Sequence, residues 1–156
     1  MLRKPSKSST SAQGAEFIII ASRYNARFVN SMLRAARAEL SKSGAASIKI
    51  IRVPGAFEIP VVAARAARLL EGRLGAIICL GIILRGATTH AQHIAEAVTQ
   101  SLAQIQITRE IPVIHEVLLL ESIQQARERC LDPEHNRGRE AAQTAIAMIQ
   151  VLRRGI

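Results

Sequence analysis

The sequence predicts an α/β protein, a three-layer αβα sandwich built on a four-stranded parallel sheet. Two observations support this prediction. Short apolar runs alternate along the chain with longer segments in which apolar residues recur every three or four positions, as on one face of a helix. The runs are apolar almost throughout, which is typical of parallel strands that helices cover on both faces. Because strands and helices alternate, we expect right-handed crossovers between neighbouring strands.

The first half of the chain contains two strand–helix units. The run at residues 17–21 (FIIIA) predicts a strand, and the helical spacing of apolar residues over 25–42 predicts the helix after it. A second strand is predicted at 47–53 (SIKIIRV), before a Pro-Gly break, and an Ala-rich helix follows over 57–71. A glycine follows each helix, as glycine commonly does at a helix end.

The second half adds two more strands. Residues 76–84 (AIICLGIIL) form the most apolar segment of the chain and predict the third strand, which a helix over 90–108 follows. The fourth strand is predicted at 112–120, and a capping-box pattern then predicts a short helix to residue 130. A last helix is predicted over 136–153. This order of elements predicts a flavodoxin-like sheet.

A length of 156 residues fits one compact domain. Residues 1–14 are basic and Ser-rich without periodicity, so we expect a disordered tail there and one folded domain at 15–156. The tail lacks the apolar core of a secretory signal, and no stretch approaches the roughly 20 apolar residues of a membrane span. Two Cys cannot form a disulfide scaffold, so we expect a cytoplasmic protein with no membrane partner.

The chain is strongly basic, with 21 Lys and Arg against 12 Asp and Glu and a formal net charge of +9. Such a charge attracts phosphates and nucleic acids through its long-range field. However, the aromatic content is 3%, Trp is absent and the basic residues are spread along the chain. A single-strand binder needs stacking rings and a basic groove. We therefore expect no nucleic acid as primary partner, and an anionic small substrate accounts for part of the charge.

Two loops at the predicted carboxyl edge of the sheet carry candidate binding residues, because ligands of such folds bind beyond the carboxyl ends of the strands. The first contains Tyr24 and Asn25, where Asn25 is an equally good candidate for a helix N-cap. The second contains Gly55, Phe57 and Glu58. A ring can stack on a heterocycle and a carboxylate can accept from hydroxyls, although Glu58 could also simply complement a helix dipole.

The third loop leads through Thr88 and Thr89 into a helix that begins near His90. Backbone N–H groups at a helix start can bind an anion, and a His beside them is a candidate general acid–base residue. The alternative is a Thr N-cap followed by an ordinary surface His. His93 lies three residues further on, but no third ligand accompanies the pair at metal-site spacing, so we expect no metal.

Four arginines surround the last loop, and they are Arg127, Arg129, Arg137 and Arg139. Cations at a helix end are common because they interact favourably with the helix dipole. A phosphate clamp is the alternative, because each guanidinium offers a bidentate fork. The residues alone leave both interpretations open.

Taken together, several segments resemble the lumazine synthase family over about residues 16–153. They are residues 21–25 (ASRYN), 53–60 (VPGAFEIP), 84–90 (LRGATTH), 112–114 (PVI) and 136–138 (NRG). The resemblance implies a transferase that condenses 5-amino-6-(D-ribitylamino)uracil with 3,4-dihydroxy-2-butanone 4-phosphate. The product is 6,7-dimethyl-8-ribityllumazine, formed with release of phosphate and water in the penultimate step of riboflavin biosynthesis. No cofactor is implied.

The resemblance also implies roles for single residues. Tyr24 would stack on the pyrimidine, and His90 would move protons. The remaining pyrimidine- and ribityl-binding positions would be Ala56, Phe57, Glu58, the backbone of Ile82, Ile83 and Leu84, and His115 from a neighbouring subunit. The phosphate would be bound by Ala87, Thr88 and, again from a neighbour, Arg129.

The sequence departs from the family pattern at several places. Tyr24 and His115 stand where the family usually has Phe, and the loop at 131–135 lacks the usual Lys and Gly. The resemblance implies a homo-oligomer, a pentamer or a 60-subunit shell built from pentamers. The alternative function is a non-catalytic member of the same fold that binds a flavin or lumazine or serves as a scaffold.

Overall fold

The computed structural model describes residues 11–156. Its four strands are β1 Glu16–Ser22, β2 Ser47–Val53, β3 Gly75–Leu84 and β4 Val113–Leu120. Its five α-helices are α1 Ala26–Lys42, α2 Ile59–Leu69, α3 His90–Arg109, α4 Ile123–Cys130 and α5 Arg137–Arg153. Every strand and helix that the periodicity predicts is therefore present, with ends that shift by a few residues.

The strands form one parallel sheet in the order β2-β1-β3-β4, which confirms the predicted flavodoxin-like fold. Helices α1, α4 and α5 cover one face, and α2 and α3 cover the other. Side chains of β1 alternate between the two apolar cores, with Phe17 and Ile19 on one side and Ile18 and Ile20 on the other. Burial on both faces explains why the strands are apolar without alternation.

The carboxyl edge of the sheet is stepped. Pairing of β1 with β3 ends at Ala21 and Leu80, whereas β3 continues beside β4 as far as Leu84 and Leu120. The last residues of β3 therefore extend beyond the end of β1 and have no strand of the described residues beside them on that side. The step opens a cleft at the edge where ligands of such folds bind.

The predicted tail at residues 1–14 falls mostly on residues 1–10, which lie outside the described residues. Its last part is packed. Ala12 is buried and its N–H donates to the carbonyl of Ser43 at 2.8 Å, while Gln13 forms an isolated bridge with Ala45. Packing thus reaches back to Ser11, before the predicted boundary at residue 15.

The second helix begins later than the sequence predicts. Residues Ala56–Glu58 form a single 3-10 turn, and the α-helix starts at Ile59. Pro60 suits this start, because a proline in the first turn removes only an N–H that has no partner there. The turn keeps Phe57 and Glu58 outside the regular helix, at the edge of the sheet. No helix of residues 11–156 has the length and apolarity to cross a membrane.

Candidate functional site

A cavity of about 690 Å³ opens in the step at the carboxyl edge of the sheet. It is bounded by the loops after β1 and β2, the end of β3 and the first turns of α3. Eight of the residues that the resemblance selects line it, and they are Tyr24, Ala56, Phe57, Glu58, Ile82, Ile83, Leu84 and His90. Residues far apart in the sequence thus meet because the strand ends of a parallel sheet share one edge.

Two aromatic rings stand at the cavity outside the hydrophobic core. Tyr24 is 71% exposed and Phe57 is 63% exposed, which is unusual for rings of this size in a folded chain. Backbone hydrogen bonds join their loops, since the N–H groups of Arg23 and Tyr24 both donate to the carbonyl of Pro54, at 3.1 and 3.2 Å. The backbone of the two loops is therefore fixed, and both rings are exposed, so that they can contact a flat ligand.

Glu58 is tied to the loop that precedes it. Its Oε2 accepts the N–H of Gly55 at 3.1 Å. A Cβ at Gly55 would lie 3.0 Å from that oxygen and 3.1 Å from Cδ2 of Tyr24, so the close packing of the two loops leaves little room for a side chain here. A carboxylate has about four acceptor positions. One bond to Gly55 therefore leaves Glu58 able to accept hydrogen bonds from ligand hydroxyls.

His90 is the first residue of α3, and both its backbone and its neighbour His93 contact the preceding threonines. The N–H of His90 donates to Oγ1 of Thr88 at 3.4 Å, and Nε2 of His93 lies 3.3 Å from Oγ1 of Thr89. Both imidazoles line the cavity and are exposed to solvent. A neutral imidazole can both accept and donate a proton, so this end of the cavity is suited to acid–base chemistry.

For Asn25 the sequence leaves two possibilities open, a ligand contact and a helix N-cap. The residue lines the cavity, and its side chain makes no cap. Other lining residues of the cavity are not selected by the sequence reasoning. His93, Ile94 and Ala97 also line it. They follow His90 at helical spacing, so the periodicity of α3 would have found them once His90 was placed at the cavity.

Comparison with known proteins shows which proteins this chain is similar to. The family model for 6,7-dimethyl-8-ribityllumazine synthase matches residues 14–153. The 6,7-dimethyl-8-ribityllumazine synthase of Xanthomonas oryzae pv. oryzae (strain PXO99A) is 39% identical over 140 residues, which cover 88% of this chain and 90% of that protein. The protein of the same name from Stenotrophomonas maltophilia (strain K279a) is 39% identical over 142 residues, 90% of each chain.

The chain belongs to the lumazine synthase family.

The family and the enzyme class predicted from the sequence are thereby confirmed, and nothing in these comparisons supports a non-catalytic member. The match begins at residue 14 and includes every segment that carried the resemblance. In this member of the lumazine synthase family, one chain brings together the residues expected to contact the pyrimidine and ribityl groups, except His115.

Four of the residues selected from the lumazine synthase pattern do not line the cavity of one chain. Ala87 and Thr88 are exposed in the loop between β3 and α3, and Thr89 separates them from His90. Arg129 is exposed in the last turn of α4. His115 lies within β4, opposite Cys79 and five residues before the strand ends.

Hydrogen bonds select one tautomer of the neutral His115 imidazole. Its Nδ1 lies 3.1 Å from the N–H of Val117, which can only donate, so Nδ1 accepts and carries no proton. Its Nε2 is 2.7 Å from Oγ1 of Thr99 on α3 and carries the proton of the neutral ring. Partial burial lowers the pKa of His115 below its usual value, because a charged ring would lose solvation there.

Two of the four arginines near the last loop have internal partners. Arg137 forms a two-pronged contact with the buried carboxylate of Glu116, at 3.1 and 3.3 Å, and a further bond to Glu140 at 3.2 Å. Arg139 donates to the carbonyl of Glu134 at 2.6 Å. Burial raises the pKa of Glu116, although the charge of Arg137 opposes this shift. Arg137 therefore stabilises the fold, which leaves Arg127 and Arg129 as candidates for a phosphate clamp.

Within residues 11–156, no group of three or more His, Cys, Asp or Glu side chains is placed to hold a metal ion. Both cysteines are buried as free thiols, and burial raises the pKa of Cys130 to about 11. A thiol with so high a pKa is a poor nucleophile near neutral pH. Within the described residues, the acid–base groups that line the cavity are its two imidazoles, the carboxylate of Glu58 and the phenol of Tyr24.

Proposed function

We propose that this chain condenses 5-amino-6-(D-ribitylamino)uracil with 3,4-dihydroxy-2-butanone 4-phosphate to 6,7-dimethyl-8-ribityllumazine, with release of phosphate and water. One observation carries the proposal: a single cavity at the sheet edge unites an exposed ring, a carboxylate and an imidazole from three separate loops. They are Tyr24, Glu58 and His90. The names of the relatives support the same reaction. Localisation in the cytoplasm is part of the proposal.

The pyrimidine would stack on Tyr24, with its edge toward the backbone of residues 82–84 and its ribityl hydroxyls toward Ala56, Phe57 and Glu58. An amine condenses with a ketone readily once the two are held together, so much of the acceleration comes from positioning. The condensation forms a C=N bond and expels water. Loss of the phosphate breaks its C–O bond. In ring closure the second amine adds to the remaining carbonyl carbon, and that oxygen leaves as a second water. These steps require proton transfers, which His90 at the start of α3 would perform.

The phosphate would lie at the start of α3, near Ala87 and Thr88, where backbone N–H groups and the helix dipole favour an anion. Arg129 would add a fixed positive charge from a neighbouring copy of the chain, and His115 of a neighbour would cover the pyrimidine. Such sharing makes the active enzyme a homo-oligomer, a pentamer or a 60-subunit shell. Residues 15–156 would be the catalytic domain, and no cofactor or metal takes part.

The direct test is to mix the purified protein with both substrates. Lumazine fluorescence should rise together with released phosphate, at a rate well above the same mixture without protein. The uncatalysed control is essential, because this condensation proceeds without help. A rate equal to that control, with protein that is folded and oligomeric, would contradict the proposed function.

A further inference from the structure

Asn25 occupies the N-terminus of α1, but its side chain does not cap that helix. Its backbone is left-handed, with φ 58° and ψ 42°, a conformation that Asn tolerates better than most residues. Its Nδ2 instead donates to the carbonyl oxygen of Ile82 at 2.9 Å. A carbonyl can only accept, which fixes the orientation of the amide. The Asn25 side chain therefore links α1 to the end of β3.

This hydrogen bond gives a partner to the Ile82 carbonyl, which has no neighbouring strand of the described residues on that side. The N–H of Arg85 donates to Leu120 on β4, so the backbone groups of Ile82 and Leu84 point the other way, toward the edge where β1 has ended. Ile82 is buried, and a buried carbonyl without a partner is costly. The amide of Asn25 occupies the place that the next residues of β1 would have taken.

The turn that carries Asn25 is also held from the opposite side. The guanidinium of Arg52 on β2 donates to the carbonyls of Ala21 and Ser22, at 3.2 and 3.0 Å. It also donates to Oδ1 of Asn30 on α1, at 2.7 Å. Hydrogen bonds to β2 and β3 together fix where α1 begins. Because Tyr24 directly precedes Asn25, these hydrogen bonds also fix the backbone position from which the Tyr24 side chain extends.

We propose that Asn25 is a positioning residue that sets the gap between the Tyr24 ring and the backbone of residues 82–84, and thereby the affinity for the pyrimidine. The inference rests on the proposed function, since it takes these two walls to enclose the pyrimidine. In this proposal Asn25 acts through Ile82, whose carbonyl its amide binds. Its loss should therefore weaken binding of the pyrimidine and leave binding of the phosphate substrate almost unchanged.

Two substitutions distinguish the effect of the Asn25 amide from the effect of its left-handed backbone conformation. Asn25→Gly removes the amide and keeps the left-handed backbone free of strain. Asn25→Asp keeps the shape but sets a carboxylate against the Ile82 carbonyl, so two acceptors face each other. Glu110→Gly is the matched control, because Glu110, with φ 52°, is the other non-glycine residue of the described chain with a positive φ, and it lies at the far end of α3.

The experiment measures the dissociation constant of the pyrimidine alone by fluorescence titration, together with KM for both substrates. We expect the pyrimidine constant to rise about tenfold in Asn25→Gly and further in Asn25→Asp, as for loss of a hydrogen bond that leaves a buried group unpaired. KM for the butanone phosphate should stay within about twofold, and Glu110→Gly should match wild type in both. Hydrogen exchange at residues 82–85 should rise in the Asn25 variants only.

Equal pyrimidine affinity in wild type and Asn25→Asp would overturn the inference, as would equal weakening of both substrates. The binding measurement needs no turnover, so it separates this inference from the proposed function. If wild type binds the pyrimidine but forms no lumazine, the proposed function fails while the ratio of the dissociation constants still decides the role of Asn25.

Discussion

The cavity and the outer region formed by β4 and α4 both carry residues selected from the family pattern. They differ in whether those residues come together within one chain. At the cavity, Tyr24, Glu58 and His90 meet within a single chain. In the outer region, His115 and Arg129 lie away from it, the first bonded to Thr99 and the second exposed on α4. One region is thus assembled by the fold alone, and the other is not.

The charge of the cavity shows why this difference matters. Its lining contains the carboxylate of Glu58 and two imidazoles. Among the residues that the structure describes, no Lys or Arg lines it. A phosphate monoester carries between one and two negative charges near neutral pH, so a fixed cation would strengthen its binding. Under the proposed function, the cavity of one chain would bind the uncharged pyrimidine but would lack a fixed cation for the phosphate. The predictions that follow test this division.

The largest effect is expected at the cavity itself. His90→Ala should lower kcat by about a hundredfold, because it removes the group that moves protons. KM for each substrate should change far less. His93→Ala, one turn further along the same face of α3, is the matched control and should lose much less activity. Steady-state kinetics with both variants checks this, and equal losses of kcat would remove His90 from its assigned role.

A smaller and more selective effect is expected from Arg129→Ala. Loss of a charge-assisted contact should raise KM for the butanone phosphate roughly ten- to fiftyfold and leave KM for the pyrimidine nearly constant. Arg127→Ala, which removes the same charge from the same exposed helix, should have little effect. If the two variants behave alike, the phosphate is attracted by general charge and not by a specific arginine.

The smallest effect is a pH dependence of stability at His115. Its pKa in the folded chain is lowered, so the unfolded chain takes up the proton first as the pH falls below about 6.5. The free energy of unfolding should therefore decline as the pH falls through about 6.5, and the decline ends once the lowered folded pKa is passed. His115→Phe should reduce this decline in urea unfolding. Equal declines in both proteins would show that the His115 ring is not held neutral.

Hydrophobic periodicity predicted the fold well because it reports burial on both faces of a sheet directly. It could not predict the 3-10 turn at Ala56–Glu58, where the carboxylate of Glu58 accepts the N–H of Gly55. It also left the role of Asn25 open, because N-caps and long-range bonds use the same residue type and only the end of β3 at Ile82 distinguishes them.

The family pattern predicted the cavity residues for a different reason. Strand ends of a parallel sheet meet at one edge, so motifs in three loops become one site as soon as the order of strands is known. Arg129 and His115 do not follow from this rule. Their proposed place in the site of a neighbouring chain would depend on how chains pack against each other, and neither the periodicity nor the fold of one chain determines that.

The central claim is that two chains share each complete site, and mixed oligomers test it most directly. Chains with His90→Ala and chains with Arg129→Ala are co-expressed with different tags and purified through both. Activity is then measured at butanone phosphate well below the KM of Arg129→Ala. In a ring with head-to-tail contacts, an intact His90 meets an intact Arg129 of a neighbour in about one quarter of the sites. We therefore predict about one quarter of the wild-type activity, far above either variant alone. Activity no higher than the mean of the two separate variants would contradict a shared site.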